Sequence, residues 1–319
     1  MKITSNRKTS NPINKLIIGS VQFGLDYGIN NTKGKPTISQ VKEILNQAAA
    51  NGVEYIDTAR SYGNSEEVLG KVLNSDIQHN FKVITKLSPL SNCSENESLE
   101  VIEASVKESV FESCVRLNTN QLYCLMLHRA ELLQKWDSIV WKILIDLWEK
   151  NYIQRLGVSV QTPEELDYAL GFDEIEVIQM PFNIFDYRWK SSISKIQSIK
   201  RKRNLTIHAR SALLQGLLVS ENNQVWGKTH FLNPDIAINW LKLSYKKYQK
   251  KSVVDLCFAY VRSQTWIDGV VVGMETIEQL HQNLILFDQP QLTDSEILEI
   301  HNERPILPEK VLNPSYWSS

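Results

Sequence analysis

The chain has 319 residues, of which 42% are hydrophobic and 22% are charged, and its formal net charge is -1. This composition is typical of a soluble globular protein with an apolar core, and the balanced charge gives no reason to expect nucleic acid or an anionic membrane as a partner. The length fits either two average domains or one large α/β barrel.

The cysteines and the N-terminal segment indicate where the protein works. No cysteine belongs to a Cys-x-x-Cys pair, and none has a histidine at metal-ligand spacing, so we expect reduced thiols and no metal site. The first 16 residues are polar and unlike a secretory signal, and no apolar run approaches the roughly 18 residues of a membrane span. We therefore expect a cytoplasmic protein. The four cysteines are Cys93, Cys114, Cys124 and Cys257.

Short apolar segments rich in Val and Ile alternate with helical patterns, in which apolar residues recur at i, i+3, i+4 and i+7. Eight parallel strands, each followed by a helix, form a closed (β/α)₈ TIM barrel most simply, because closure leaves no sheet edge. We predict one such α/β barrel domain over residues 1–319, and an open doubly wound sheet is the alternative. The strand candidates are residues 15–20, 55–59, 81–87, 122–128, 155–160, 177–182, 205–211 and 268–274.

Several helix ends are marked in the sequence. ISQVKEILNQAAANG carries Ser39 near its start and ends on Gly52, a C-terminal stop signal. TPEELDYALGF begins with Thr162 as N-cap, Pro163 at the first helical position and Glu165 three residues after the cap. TDSEILEIHNE predicts an extra helix after the eighth strand.

Two irregular segments have competing interpretations. Residues 213–234 are too many for a simple connection and form a candidate functional loop over the barrel mouth. Trp226 and Phe231 in this loop would either contact a ligand or pack on the barrel. The basic run at 199–204 predicts a solvated helix end that complements the helix dipole, rather than a nucleic-acid signal.

Polar residues follow several predicted strands, where the active site of a barrel enzyme lies. A carbonyl that accepts a hydride needs a proton on its oxygen, and Tyr62 can donate it if a neighbouring Lys86 ammonium favours the phenolate. Asp57 would hold that lysine, and His128 would hydrogen-bond the carbonyl oxygen. Each residue alone has an ordinary structural explanation, but the four together favour a carbonyl-reducing site.

The segments that carry these residues resemble the aldo-keto reductase superfamily, and the resemblance extends over nearly the whole chain. The matching segments occur in the family's order: IIGSVQFG, GVEYIDTARSYGNSEEVLG, VITKL, LYCLMLHR, LIDLWEKNYIQRLGVSV, QMPFN, ARSALLQGLL and VVVGMETIEQLHQNL. One segment would be weak evidence, whereas an ordered series along an eightfold alternation is strong.

The resemblance implies a nicotinamide-dependent oxidoreductase that uses NADPH, or NADH, to reduce a small aldehyde or ketone. We expect a sugar-like substrate. It makes Tyr62 the general acid, assisted by Lys86, Asp57 and His128. It also implies cofactor contacts at Ser159, Gln179 and Asn183 on the nicotinamide side, at Arg210 and Ser211 after strand 7, and at Gly273, Gln279 and Asn283 on the adenosine side.

The chain departs from the family pattern at three places. Arg210 stands where a tyrosine often stacks on the nicotinamide, and it could stack on the ring, reach a substrate phosphate or carboxylate, or be structural. Tyr123 stands where an aspartate is usual. GMETIEQLHQ lacks the Lys or Arg that often binds the 2′-phosphate of NADP, which weakens the NADP assignment unless Arg262 or Lys228 substitutes. Two other functions stay open: a cofactor-binding regulatory barrel with little turnover, and a non-redox sugar lyase or isomerase. The oligomeric state is also open.

Overall fold

The computed structural model describes residues 15–28, 34–73 and 80–317. Eight parallel strands follow one another around a closed barrel in chain order. They are β1 Leu16–Gly19, β2 Tyr55–Asp57, β3 Lys82–Lys86, β4 Leu122–Leu127, β5 Ile153–Ser159, β6 Ile175–Pro181, β7 Thr206–Arg210 and β8 Gly269–Gly273.

Closure occurs between the first and last strands. β1 pairs with β2 on one side, where Gly19 lies opposite Asp57, and with β8 on the other, where Gly19 lies opposite Gly273. All eight predicted strands are present, and the predicted closed barrel is confirmed over the open doubly wound alternative. Because the strands are parallel, their carboxyl ends meet at one mouth of the barrel.

Helices cover the outside of the barrel, and the connection between β7 and β8 holds more of them than the others. In chain order they are α1 Val21–Gly24, α2 Ile38–Ala50, α3 Ser65–Val72, α4 Leu99–Arg116, α5 Ile139–Glu149, α6 Pro163–Ala169, α7 Ile193–Lys200, α8 Asn223–Gly227, α9 Pro234–Lys247, α10 Val253–Arg262, α11 Ile277–Phe287, α12 Asp294–Glu303 and α13 Glu309–Leu312. None of the described helices is long and apolar enough to cross a membrane.

The helix ends follow local hydrogen-bonding rules. Thr37 caps α2 in a capping box with Gln40, so the helix begins before Ser39. Gly52, with φ of 80°, adopts the left-handed conformation just past the end of α2. The predicted Thr162 cap of α6 is confirmed, since its side chain accepts the Glu165 N–H. The predicted extra helix after the barrel is α12.

The core lies inside the barrel and between the strands and helices. Cys124 on β4 is completely buried, and burial raises the pKa of its thiol to about 12. All four cysteines are buried and unpaired. Cys124 therefore acts as a small apolar core residue.

The segment at 213–234 contributes both to the cavity at the mouth, which Leu213, Gln215, Gly216 and Val219 line, and to packing through its aromatic residues. Trp226 on α8 is fully buried, and its indole N–H donates to the Ser220 carbonyl at 2.9 Å. Phe231 packs beside it with ring centroids 6.3 Å apart. Neither aromatic ring lines the cavity described below, so the packing interpretation is correct for both.

The basic run after α7 is only partly solvated. Arg203 donates to the backbone carbonyls of Phe172 and Ile175, and Lys200 forms an ion pair with Asp268 at 2.6 Å. These contacts hold the end of α7 to the strand that precedes it and to the loop before β8. The prediction of a purely solvated helix end was therefore wrong for these two residues.

Candidate active site

A cavity of about 1000 Å³ opens at the carboxyl ends of the strands. All four predicted catalytic side chains line it, at the end of the barrel where active sites of this fold lie. The C-terminal segment also reaches the cavity, since Asn313, Pro314 and Tyr316 form part of its wall. The mouth is therefore shaped by residues from the first strand to the last turn of the described chain.

A buried ion pair lies at the base of this cavity. Lys86 Nζ donates to the Asp57 carboxylate, lying 2.7 Å from Oδ1 and 2.8 Å from Oδ2, and it also donates to the Thr58 carbonyl at 3.0 Å. Both side chains are almost completely buried. Burial by itself lowers the pKa of Lys86, but the Asp57 carboxylate and Tyr62 outweigh it and hold that pKa above its usual value. Lys86 is thus charged at neutral pH.

Gln179 supports the ion pair from across the barrel. Its Nε2 donates to Asp57 Oδ1 at 2.7 Å, although the two residues lie 122 positions apart in the chain. The carboxylate therefore accepts hydrogen bonds from both Lys86 and Gln179. The sequence predicted Gln179 only as a cofactor contact, and nothing in the local sequence indicates that it would reach Asp57.

Tyr62 lies next to the ion pair. Its hydroxyl accepts a hydrogen bond from Lys86 Nζ at 3.4 Å, and the ammonium lies 5.0 Å from the centre of its ring. The turn that carries Tyr62 packs backbone to backbone against α1. A Cβ on Gly24 would lie 1.9 Å from the Tyr62 carbonyl oxygen, and Gly63 has φ of 58°. Glycine is thus required on both sides of this contact.

His128 completes the predicted group of four. Its ring meets that of Tyr62 edge to face, with centroids 5.9 Å apart. Burial, followed by the positive charges of Lys86, Arg210 and Arg129, lowers the pKa of His128 to about 3. The imidazole is therefore neutral at physiological pH. It can donate one hydrogen bond but cannot act as a cationic acid.

Ser61 is a site residue that sequence reasoning missed. Its Oγ lies 3.1 Å from Nδ1 of His128. If the hydroxyl donates to Nδ1, the proton of the neutral ring is on Nε2. Ser61 could have been predicted from its position in the loop between Asp57 and Tyr62, because this loop lies at the mouth where the neighbouring strands end.

The predicted cofactor contacts separate into two sets. Asn183 is fully buried behind the cavity wall, where its Oδ1 accepts the Phe185 N–H at 3.0 Å and its Nδ2 has no partner. Asn283 is also largely buried, and neither asparagine lines the cavity. The residues that do line it are Ser159, Gln179, Arg210, Ser211, Gly273 and Gln279.

Arg210 extends from the carboxyl end of β7 into the cavity wall. Its Nη2 donates to the Val160 carbonyl at 3.2 Å and to Gln161 Oε1 at 2.7 Å. Gln161 in turn donates from Nε2 to Asn313 Oδ1 at 2.9 Å. This chain of contacts joins β7, β5 and the C-terminal segment. Gln161 and Asn313 were not predicted, because their partners are distant in sequence.

The opposite end of the cavity lies at the start of α11. Glu275 and Gln279 form a closed pair there, with Gln279 Nε2 donating to Glu275 Oε1 at 3.0 Å and the Glu275 N–H donating to Gln279 Oε1 at 2.8 Å. Arg262, considered above as a substitute cation, is buried elsewhere and donates to the Phe287 and Pro290 carbonyls. Lys228 does not line the cavity either.

The departure at Tyr123 does not affect the reacting groups. Tyr123 lies at the start of β4, near the opposite mouth of the barrel, where its ring meets that of Tyr55 at 6.2 Å between centroids. Its hydroxyl accepts a hydrogen bond from Arg155 at 3.5 Å. Among the described residues, no group of three or more His, Cys, Asp or Glu side chains is arranged to hold a metal ion.

A closed parallel barrel with an Asp, Tyr, Lys and His group at its mouth defines a class of barrel enzymes that act on carbonyl groups. A model of the aldo/keto reductase family matches residues 15–303. The chain therefore belongs to the aldo/keto reductase family of oxidoreductases, as the sequence resemblance predicts.

Similar proteins agree with this assignment. The uncharacterized oxidoreductase YqkF of Bacillus subtilis is 24% identical over 82% of this chain and 88% of its own length. The holo form of aldo-keto reductase AKR11C1 from Bacillus halodurans has a TM-score of 0.72 at 21% identity, covering 93% of this chain and 95% of the other. An aldo/keto reductase from Klebsiella pneumoniae, solved in complex with NADP and acetate, has a TM-score of 0.65 at 19% identity, covering 92% of both chains.

Proposed function

We propose that the protein reduces an aldehyde or ketone to an alcohol, with a reduced nicotinamide nucleotide as hydride donor and Tyr62 as proton donor. The observation that carries this proposal is the contact of Lys86 Nζ with both Asp57 and the Tyr62 hydroxyl. A charged lysine against a phenol stabilises the phenolate that remains after proton donation.

The cavity is suited to a nicotinamide nucleotide such as NADPH or NADH. Its volume of about 1000 Å³ lies at the upper end of ligand sites, and it extends from Tyr62 to the start of α11. Gln22, beside Gly273, presents a buried Oε1 that has no hydrogen-bond partner among the described residues, as expected where a polar ligand belongs. Ser159 and Gln179 would hold the nicotinamide end, and the N-terminus of α11 would favour a phosphate group.

Each of the four side chains has its own role in the proposed reduction. A bound reduced nicotinamide supplies the hydride to the carbonyl carbon. Tyr62 donates its hydroxyl proton to the carbonyl oxygen, while Lys86 stabilises the resulting phenolate and Asp57 keeps Lys86 in place. Neutral His128 donates a hydrogen bond to the same oxygen and so fixes its position. A proton from water then restores the Tyr62 hydroxyl.

The proposed substrate is a small, sugar-like aldehyde or ketone. Polar side chains surround the reacting groups, including Gln161, Gln215 and Glu131. Such a wall suits a hydroxylated substrate better than a purely apolar one, because these polar side chains would form hydrogen bonds with substrate hydroxyl groups.

The first test is to titrate the protein separately with NADPH and with NADH while following tryptophan fluorescence. Saturable binding of either nucleotide is expected. Absence of binding would overturn the proposal and favour a non-redox lyase or isomerase. Tight binding with almost no turnover on any aldehyde would instead favour a cofactor-binding regulatory protein.

The second test is a Tyr62→Phe variant. It should keep the wild-type dissociation constant for the nucleotide and lose about 10²- to 10⁴-fold in kcat on a reactive aldehyde, the contribution typical of a general acid. A variant that reduced the aldehyde as fast as wild type would exclude Tyr62 as the proton donor.

A further inference from the structure

The guanidinium of Arg210 lies in the cavity wall and forms no ion pair within the described part of the chain. Its hydrogen-bond acceptors, the Val160 carbonyl and the Gln161 side-chain oxygen, are both neutral. Among the described residues, no carboxylate forms an ion pair with it. Both hydrogen bonds use Nη2, which leaves the N–H groups of Nε and Nη1 for another partner.

The surroundings make this unpaired charge costly. Burial lowers the pKa of Arg210, and the nearby Tyr62, Tyr27 and Asp57 only partly offset that effect. The nearby charge of Lys86 is already matched by Asp57. Arg210 is only partly exposed, and a partly desolvated charge is more favourable with a counter-ion than without one, so an anionic group in the cavity would stabilise it.

The position of Arg210 shows where such an ion would bind. Arg210, together with Arg129 and Lys86, acts on His128 as a nearby positive charge. Arg210 and His128 line the same cavity, so the guanidinium lies within electrostatic reach of the end where the carbonyl would be held. Two carboxylates in the wall are engaged, since Glu165 accepts the Gln161 N–H at 2.5 Å and Glu275 pairs with Gln279. Glu131 also lines the cavity, but it is exposed, and no ion pair among the described residues joins it to Arg210.

We propose that Arg210 binds a carboxylate or phosphate group on the carbonyl substrate, so that the enzyme selects anionic aldehydes or ketones. This inference rests on the proposed function, because it assigns a substrate class to the same site. The planar fork of a guanidinium can hold two oxygens of such a group. Gln161, which a hydrogen bond to Asn313 holds in place, positions the guanidinium of Arg210 without neutralising its charge.

The test compares matched substrates that differ in charge. One pair is 4-carboxybenzaldehyde and 4-methylbenzaldehyde, and the other is glyceraldehyde 3-phosphate and glyceraldehyde. Wild type should prefer the anionic member of at least one pair by about tenfold or more in kcat/KM, the worth of a charge-assisted hydrogen bond. The pair that shows the preference distinguishes a carboxylate from a phosphate.

An Arg210→Met variant should lose this preference, through a higher KM for the anionic substrate only. The family resemblance implies a cofactor contact at Arg210, but if Arg210 instead binds the substrate anion, the dissociation constant for the nucleotide stays at the wild-type value. Arg210→Lys, which keeps the charge but not the fork, should retain part of the preference and serves as the second variant if the methionine protein is unstable. Arg116→Met, on α4 outside the cavity, is the matched control and should behave as wild type.

Three outcomes would overturn the inference. The first is that wild type shows no preference for anionic substrates. The second is that Arg210→Met loses kcat/KM equally on charged and neutral substrates. The third is that Arg210→Met binds the nucleotide more weakly but keeps the preference, which would assign Arg210 to the cofactor. If wild type binds nucleotide but reduces no aldehyde, the proposed function fails separately. Calorimetric binding of 4-carboxybenzyl and 4-methylbenzyl alcohols to the nucleotide complex then tests Arg210 without turnover.

Discussion

The carbonyl oxygen of Tyr62 lies against the Cα of Gly24, so close that a Cβ on Gly24 would be 1.9 Å away from it. The same Cβ would lie 2.5 Å from the Ser65 N–H nitrogen. Backbone atoms cannot yield as a flexible side chain can. Gly24 therefore sets the height of the turn that presents Tyr62 to the cavity, even though it does not line the cavity itself.

Gly24→Ala should displace Tyr62 and lower kcat by about 10²-fold, because misplacement of a reacting group by about 1 Å costs that much. The nucleotide dissociation constant should change little, since Gly24 lies behind the turn. Steady-state kinetics together with fluorescence titration would measure both quantities.

Gly227→Ala is the matched control, since a Cβ there meets nothing within 4 Å. It should leave kcat and stability unchanged. If Gly24→Ala also kept its wild-type kcat, the turn would be free to adjust and Gly24 would not position Tyr62.

The ion pair of Asp57 and Lys86 is expected to behave as a coupled unit. Asp57→Asn leaves a buried ammonium without its counter-ion and should reduce the free energy of unfolding by about 3–5 kcal/mol. Lys86→Met should likewise destabilise by leaving the carboxylate with Gln179 alone. In denaturant unfolding, the double variant should lose less free energy of unfolding than the two single losses added together, by more than about 1 kcal/mol.

The surface pair of Glu54 and Lys82 provides the comparison. Both side chains are about half exposed, so Glu54→Gln should cost less than about 1 kcal/mol. Additive losses at Asp57 and Lys86 would show that the two charges are not coupled, and would also weaken the case for Lys86 as a charged partner of Tyr62.

The strands were predictable because a parallel barrel strand is covered on both sides and therefore appears as a continuous apolar run. The grouping of Asp57, Lys86 and His128 followed from the rule that parallel strands end at one mouth. Thr162 marked α6 because an N-cap acts over only three residues. These features depend on local sequence or on a general property of the fold.

Other contacts depend on how distant segments close over the barrel. Gln179 reaches Asp57 across the barrel, and Asn313 returns to Gln161 over 152 positions. No local pattern encodes either pairing. Trp226 was ambiguous for a similar reason, because an aromatic residue in an irregular segment looks the same in sequence whether it meets a ligand or the core.

The low pKa of His128, about 3 against a usual value near 6.5, makes stability depend on pH. The unfolded chain binds a proton here below about pH 6.5, whereas the folded protein does not until about pH 3. This residue therefore destabilises the fold progressively as the pH falls through that window. His128→Gln should reduce the stability lost between pH 7 and pH 5 by about 1–2 kcal/mol.

Denaturant unfolding of wild type and His128→Gln at pH 7 and pH 5 would measure this difference. Parallel pH dependence in the two proteins would mean that His128 is protonated in the folded state at pH 5. It would then be available as a cationic acid, and the assignment of the donor role to a neutral imidazole would have to be abandoned.

The pairing of Glu275 with Gln279 leads to a prediction on nucleotide preference. A carboxylate can accept a hydrogen bond from a ribose 2′-hydroxyl but repels a 2′-phosphate. If the adenosine end lies at α11, wild type should bind NADH at least as tightly as NADPH. Glu275→Arg should shift the ratio of the two dissociation constants toward NADPH by about tenfold or more, as measured by fluorescence titration.

Glu43→Arg, an equal charge change on the exposed face of α2, should leave the ratio unchanged. A wild-type preference for NADPH that Glu275→Arg does not alter would place the 2′-phosphate away from α11, against a cation elsewhere in the chain.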